Sequence, residues 1–263
     1  MNDPSPPVLR LTSISMRRDE ATLLDEVSWE VRRGEHWAVL GCNGSGKTSL
    51  INALLAYEHP SSGRVELLGN RLGSGDWRAL RRRIGVVSSA LHVHLGDAET
   101  ALRTVASGKF AAFGPWSEPD EAELEQARRI LEDAGAGAIA ERRWRVLSQG
   151  ERQRVLIGRA LMADPEVLLL DEACSGLDPV AREHLLVVVE GLARASRPCL
   201  VMVTHHIEEI VSAITHVLVL RRGRVAAAGP KEEVLTAAVL GDAFEHPVAV
   251  RRRGERFELE VAR

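Results

Sequence analysis

Apolar positions recur along the chain with two periods. Val8–Ser15 and Val27–Val31 alternate or run apolar over short stretches, and Glu35–Leu40 is a compact apolar run. These are strand patterns. Immediately afterwards Leu50, Ile51, Leu54 and Leu55 fall at helical spacing. Residues 60–63 (Pro-Ser-Ser-Gly) mark a turn before a strand at Arg64–Leu68, and Arg81–Val87 leads into another. Beyond Leu95 the composition shifts to Ala, Glu and Arg. Glu121–Ala134 has the pattern of an amphipathic helix, and Gly135, Gly137, Pro115 and Pro119 break the stretch that ends near Leu147. A helix at Glu151–Met162 stops near Pro165, and Pro179–Ala195 forms the next. Val167–Leu170, Cys199–Val203 and Val217–Leu220 are continuously apolar, as buried parallel strands are. The tail Pro247–Val261 alternates apolar and charged residues around Arg253-Gly254 and reads as a β-hairpin. Strands alternating with helices predict an α/β fold with a mostly parallel sheet.

Composition narrows the function classes. The 263 residues are 45% hydrophobic and carry a net charge of −3. That excludes a global basic field for nucleic acid, and no direct nucleic-acid binding is expected. No apolar run reaches membrane-spanning length, and Met1–Leu9 lacks the features of a signal peptide. Cys42, Cys174 and Cys199 are odd in number and widely spaced, which points to neither a disulfide framework nor a zinc site and to a reducing, cytoplasmic setting. The arginine-rich chain keeps only three lysines, Lys47, Lys109 and Lys231.

One of those lysines lies in the most informative stretch. Gly41-Cys42-Asn43-Gly44-Ser45-Gly46-Lys47-Thr48 matches the phosphate-loop pattern, with an apolar strand before it and a helix after it. Its glycines let backbone N–H groups converge on an anion at a helix N-terminus. Lys47 is placed to reach the β- and γ-phosphates, and the Thr48 hydroxyl to hold Mg²⁺; Ser49 completes the nucleotide-binding set. Further on, the run Val167–Leu170 ends in Asp171 and Glu172. Asp171 is expected on the Mg²⁺, and Glu172 beside the attacking water, whose proton a carboxylate can accept.

Leu147-Ser148-Gln149-Gly150-Glu151 opens a helix through a serine suited to cap it. With these residues, in this order, the chain resembles the ABC ATPase family from about Val8 to Val239. The family signature is usually L-S-G-G-Q, so Gln149 and Glu151 depart from it. The resemblance implies a nucleotide-binding core over residues 8–94 and 160–240. It also implies N-terminal antiparallel strands, a helical subdomain with the signature over 95–159 and a hairpin tail over 243–263, all within one domain. It assigns Ser148, Gln149 and Gly150 to the γ-phosphate held by a second copy, Asp178 of Ser175-Gly176-Leu177-Asp178 to the dimer seam, and His205 to the γ-phosphate and its water. ATP and Mg²⁺ are the implied cofactors. The implied assembly is a head-to-tail homodimer at the inner face of a membrane, driving a separate transmembrane permease subunit. The alternative is a soluble, non-transport ABC ATPase in regulation or repair.

Two positions depart from the family pattern. Ser89 stands where a glutamine normally contacts Mg²⁺ and reports to a membrane partner, with His92 and His94 nearby assigned to the surface. The segment Ile14–Arg18 lacks the usual adenine-stacking aromatic, which leaves Arg17 or Arg18 to stack on the base. Residues 34–38 (Gly-Glu-His-Trp-Ala), the serine pair and the variant signature together look like a stand-alone subgroup similar to molybdate- or photorepair-type proteins. Trp29 and Trp37 are expected to pack on strand faces.

Overall fold

A computed structural model describes residues 6–74, 76–88, 95–110, 118–195 and 198–262. Its strands are β1 (Leu9–Arg18), β2 (Ala21–Val31), β3 (Trp37–Leu40), β4 (Ser62–Leu67), β5 (Asn70–Arg71), β6 (Ile84–Ser88) and β7 (Val167–Asp171). They continue with β8 (Cys199–Thr204), β9 (His216–Arg221), β10 (Arg224–Pro230), β11 (Val248–Arg253) and β12 (Arg256–Val261). The helices are α1 (Lys47–Leu54), α2 (Trp77–Arg81), α3 (Ala101–Ala106), α4 (Glu121–Asp133), α5 (Gln149–Leu161), α6 (Pro179–Arg194), α7 (Lys231–Val234) and α8 (Ala237–Phe244). The chain divides into two compact units, one of Met1–Leu80 with Cys199–Arg263, the other of Arg81–Pro198. The divisions expected from sequence, after residues 94 and 159, fall later and earlier respectively.

In the first unit, β1 pairs antiparallel with both β2 and β4, in the order β2-β1-β4-β5. Register shifts interrupt the β1–β2 ladder, and Ser13 (φ 46°) and Glu26 (φ 51°) adopt left-handed backbone beside them. Each bulge displaces the inward–outward alternation by one residue. Leu9, Leu11, Ile14 and Met16 therefore all face the core although their spacing is not strictly two. This is why strict alternation locates only Val8–Ser15 and Val27–Val31, whereas the strands run to Arg18 and begin at Ala21.

The same unit holds a second set of strands in the order β10-β9-β3-β8. β3 lies parallel to both β8 and β9, with Trp37 opposite Val201 on one side and His216 on the other. All four β3 residues are buried, which accounts for the unbroken apolar run. Trp29 and Trp37 meet edge to face at 5.6 Å, and Trp37 stacks on His216 at 4.8 Å. Both tryptophans are packing residues. β9 returns through the two-residue turn Arg222-Gly223 (φ 46° and 77°), the backbone of a tight hairpin. The partner strand β10 is mostly small residues, so no hydrophobic pattern announces it.

The tail forms the expected hairpin, β11 with β12, turning at Gly254-Glu255. β11 packs on α8, and β12 on the short 3-10 turn Ile207–Glu209.

In the second unit β6 runs parallel to β7 from Ile84 opposite Val167 to Ser88 opposite Asp171. Helices α3, α4 and α5 pack on one another, and α5 also packs on α6 and β6. Leu131, Leu156, Ile157 and Leu168 are fully buried there, each worth about 1.5–3 kcal/mol relative to exposure. α4 begins with a capping box in which Asp120 and Glu123 each satisfy the other's backbone N–H. Among the described residues no helix is long and apolar enough to cross a membrane.

Candidate functional site

The phosphate loop sits between β3 and α1 in the first unit. Gly46 caps α1 with φ 106°, and a Cβ there would lie 2.9 Å from the Leu23 carbonyl oxygen and 3.0 Å from Leu24 Cδ2. Any other residue would be both strained and obstructed. No side-chain hydrogen bond caps α1, and the start of a helix favours an anion. The Lys47 ammonium folds back across the loop and donates to the carbonyls of Gly41 (2.8 Å) and Cys42 (3.1 Å). Ser45 N–H donates to the Cys42 carbonyl at 3.1 Å, closing the turn. Cys42, Asn43, Gly44 and Thr48 are exposed, and Ser49 is half-buried. Residues 42–45 border a cavity of about 230 Å³ faced by Arg221, Arg222 and 243–245. A preformed cradle with a lysine across it suits the phosphates of a nucleotide.

His205 follows β8 directly and is half-buried, its ring 4.1 Å from that of His206. Its neighbours hold the backbone around it. Thr204 Oγ1 donates to the buried Glu209 carboxylate at 2.5 Å and accepts from His206 N–H at 3.0 Å. Sequence reasoning singles out neither Glu209 nor Thr204; a carboxylate flanked by the apolar Ile207, Ile210 and Val211 is the signal that could have found the first.

The second unit carries the acidic pair and the signature. Asp171 ends β7, where Ser88 Oγ lies 3.4 Å from its Oδ2. Glu172 has φ 49°, a left-handed backbone that costs an ordinary residue about 1–2 kcal/mol. Its carbonyl accepts from Ser175 N–H at 2.9 Å. The hard oxygens of the exposed Thr48 hydroxyl and of Asp171 are the donor type that Mg²⁺ takes.

Ser148 caps α5, which begins at Gln149, two residues before the helix expected from periodicity. The reason is a full capping box. Ser148 Oγ accepts from Glu151 N–H (3.3 Å), and the Glu151 carboxylate accepts from Ser148 N–H (2.8 Å). Burial alone would push the Glu151 carboxyl up. The Ser148 backbone and hydroxyl and the Arg142 guanidinium at 2.6 Å outweigh it and hold the group below the usual carboxylate range. Glu151 thus replaces the usual glutamine of the signature without loss of the cap. Gln149 reaches sideways, its Nε2 donating to the Ser175 carbonyl at 2.8 Å. A Cβ on Gly150 would come within 2.9 Å of Ala181 Cβ, so this glycine allows α5 and α6 to approach. Asp178 caps α6, its Oδ1 accepting from the N–H groups of Val180 and Ala181 at 2.9 Å each. That capping role accompanies the seam role which the resemblance assigns to it.

In the first unit, then, the loop gathers residues 41–49 around Lys47. In the second, Ser148–Gly150 meets the turn between Glu172 and Asp178. Ser89, His92 and His94 lie outside the described residues. Of the two candidate base-stacking arginines, Arg18 is held by Glu58 at 2.6 Å and 2.7 Å, and Arg17 is exposed with its N–H on Ser61 Oγ.

A phosphate loop on a parallel sheet, an apolar strand ending in adjacent acids and a serine-capped signature helix define an ATP-hydrolysing cassette. The family model described as ABC transporter matches residues 24–175. An uncharacterized ABC transporter ATP-binding protein, YlmA of Bacillus subtilis, is 42% identical over 245 residues, covering 92% of this chain and 93% of its own. Among solved structures, the ATP-binding cassette MJ1267 in its ADP conformation superposes with a TM-score of 0.79 at 25% identity, covering 92% of this chain and 98% of its own. The dimeric cassette MJ0796 bound to ADP and Pi after hydrolysis gives 0.73 at 25% identity, covering 84% and 98%. The chain belongs to the ABC transporter family, as an ATP-binding and ATP-hydrolysing member.

Proposed function

We propose that two copies of this chain close head to tail on two molecules of ATP and drive a separate membrane-spanning subunit from the inner face of a membrane. The observation that carries the reading is the preformed loop, with the Lys47 ammonium across it and an uncapped α1 behind it. In each site the loop and Lys47 hold the triphosphate. Ser148 and Gly150 of the other copy meet the γ-phosphate at the capped start of α5, where the helix dipole favours negative charge. Thr48 and Asp171 are the residues that would hold Mg²⁺, which would neutralise charge on the phosphate oxygens. Glu172 accepts a proton from the attacking water, and His205 steadies the γ-phosphate. Water oxygen bonds to the γ-phosphorus, the bond to the β-phosphate oxygen breaks, and ADP and phosphate leave. Loss of the γ-phosphate unties the two copies.

MJ0796, seen as a dimer after hydrolysis, supports the assembly, and the likeness to YlmA, an ABC transporter ATP-binding protein, supports the transport role. Ser89 in place of the family's glutamine favours a second reading, a soluble ABC ATPase without a permease. Purification from native membranes separates the two. A polytopic membrane protein that co-purifies supports the first, and soluble partners alone support the second. Nucleotide binding itself is tested by calorimetry on Lys47→Ala, which should lose the ATP heat of the parent; a parental isotherm would contradict the assignment.

A further inference from the structure

We infer that the C-terminal hairpin positions the catalytic histidine by clamping the turn that follows it, with Glu208 as the positioning residue. The inference rests on the reading of His205 given above. The two adjacent carboxylates of the turn Ile207–Glu209 are used in opposite directions. Glu209 is buried and takes the Thr204 hydroxyl, fixing the turn to the end of β8. Glu208 is half-buried and takes the backbone N–H of Leu259 on β12 at 3.2 Å. Around that bond, Ile207 is 1% exposed and Phe257 of β12 is 8% exposed, and β12 packs on the turn.

His205 is the residue between these anchors. On its N-terminal side the backbone is a buried parallel strand. On its C-terminal side it enters a single 3-10 turn, closed by Glu209 N–H on the His206 carbonyl (3.3 Å) and Ile210 N–H on the Ile207 carbonyl (3.1 Å). Without Glu208 the turn keeps its inner tie to Thr204 and loses its outer one. β12 is paired with β11 along its whole length, from Val261 opposite Val248 to Arg256 opposite Arg253, so the outer tie is to a defined structure and not to a loose tail.

The test is steady-state ATP turnover of the full chain with four substitutions. Glu208→Ala removes the acceptor; Glu208→Gln keeps an acceptor oxygen. Leu259→Pro removes the donor from the other side, at an N–H directed to Glu208 and not to β11. His205→Ala is the control. A displaced catalytic group costs rate more than binding, so Glu208→Ala and Leu259→Pro should lower kcat about tenfold with the KM for ATP within about twofold. Glu208→Gln should recover kcat to within about twofold of the parent. Parental kcat in Glu208→Ala, or a Glu208→Gln variant as slow as Glu208→Ala, overturns the clamp. If His205→Ala itself keeps parental turnover, the reading of His205 falls and the clamp with it. A slow His205→Ala beside an unimpaired Glu208→Ala removes the clamp alone.

Discussion

At the level of single residues, the site's chemistry is set by a few backbone positions that ordinary side chains avoid. Glu172 holds φ 49°, a backbone strain for which the role proposed for its carboxylate gives the reason. Glu172→Gly should therefore lose turnover yet keep a thermal midpoint at least equal to the parent's; a midpoint several degrees lower would show that the side chain, not the backbone, dominates. Gly46 presents the opposite case. It sits at φ 106°, and a methyl carbon added there would lie 2.9 Å from the Leu23 carbonyl oxygen. Gly46→Ala should cost about 1–2 kcal/mol or more in denaturant unfolding and abolish ATP binding. The cysteines report on the same loop. Cys199 is buried and its thiol is pushed up to about 12 by desolvation, with the Glu35 charge adding to it, whereas Cys42 is exposed on the phosphate loop. Iodoacetamide at pH 8 should label Cys42 well before Cys174 or Cys199, and MgATP should slow that labelling. Equal labelling of all three, or no protection, would place the nucleotide elsewhere. The loop residues are legible in the sequence because phosphate-binding chemistry fixes residue type and spacing together. The positive φ of Glu172 and the inward carboxylate of Glu209 are not, since both depend on how strands and turns meet.

At the level of elements, the signature helix is the most informative. Periodicity starts it at Glu151, but the reciprocal bonds of Ser148 and Glu151 start it at Gln149. The S-x-x-E spacing is present in the sequence; reading the stretch only as a variant signature hides the second half of the cap. Because the Glu151 carboxyl is held below its unfolded value, its contribution to stability is complete above the unfolded pKa and is lost as pH falls through the lower, folded one. Between those two values Glu151→Gln should thus show a shallower loss of stability with acid than the parent, in urea melts run across about pH 3 to 5. Identical slopes would mean that the cap does not titrate with folding. Strands β1 and β2 show the complementary limit. Their bulges break the two-residue alternation, so their extent emerges only from the pairing. β10 escapes sequence reasoning for a third reason, a run of alanines that packs without a hydrophobic pattern.

At the level of the whole molecule, the chain separates its chemistry between two compact units. The phosphate loop and His205 lie in one; the acidic pair and the signature lie in the other. The divisions at Leu80 and Pro198 are not visible in composition, because the shift near Leu95 marks the approach to the helices α3 to α5 and not where packing changes. In the proposed cycle ATP joins two copies through Ser148–Gly150 of each, and Glu172 dismantles the join. Light-scattering molar mass of Glu172→Gln with saturating MgATP measures this most directly. The mass of two chains is expected with ATP, of one chain without it, and of one chain again when Ser148→Arg is added. A Glu172→Gln variant that binds MgATP yet keeps the mass of a single chain would contradict it.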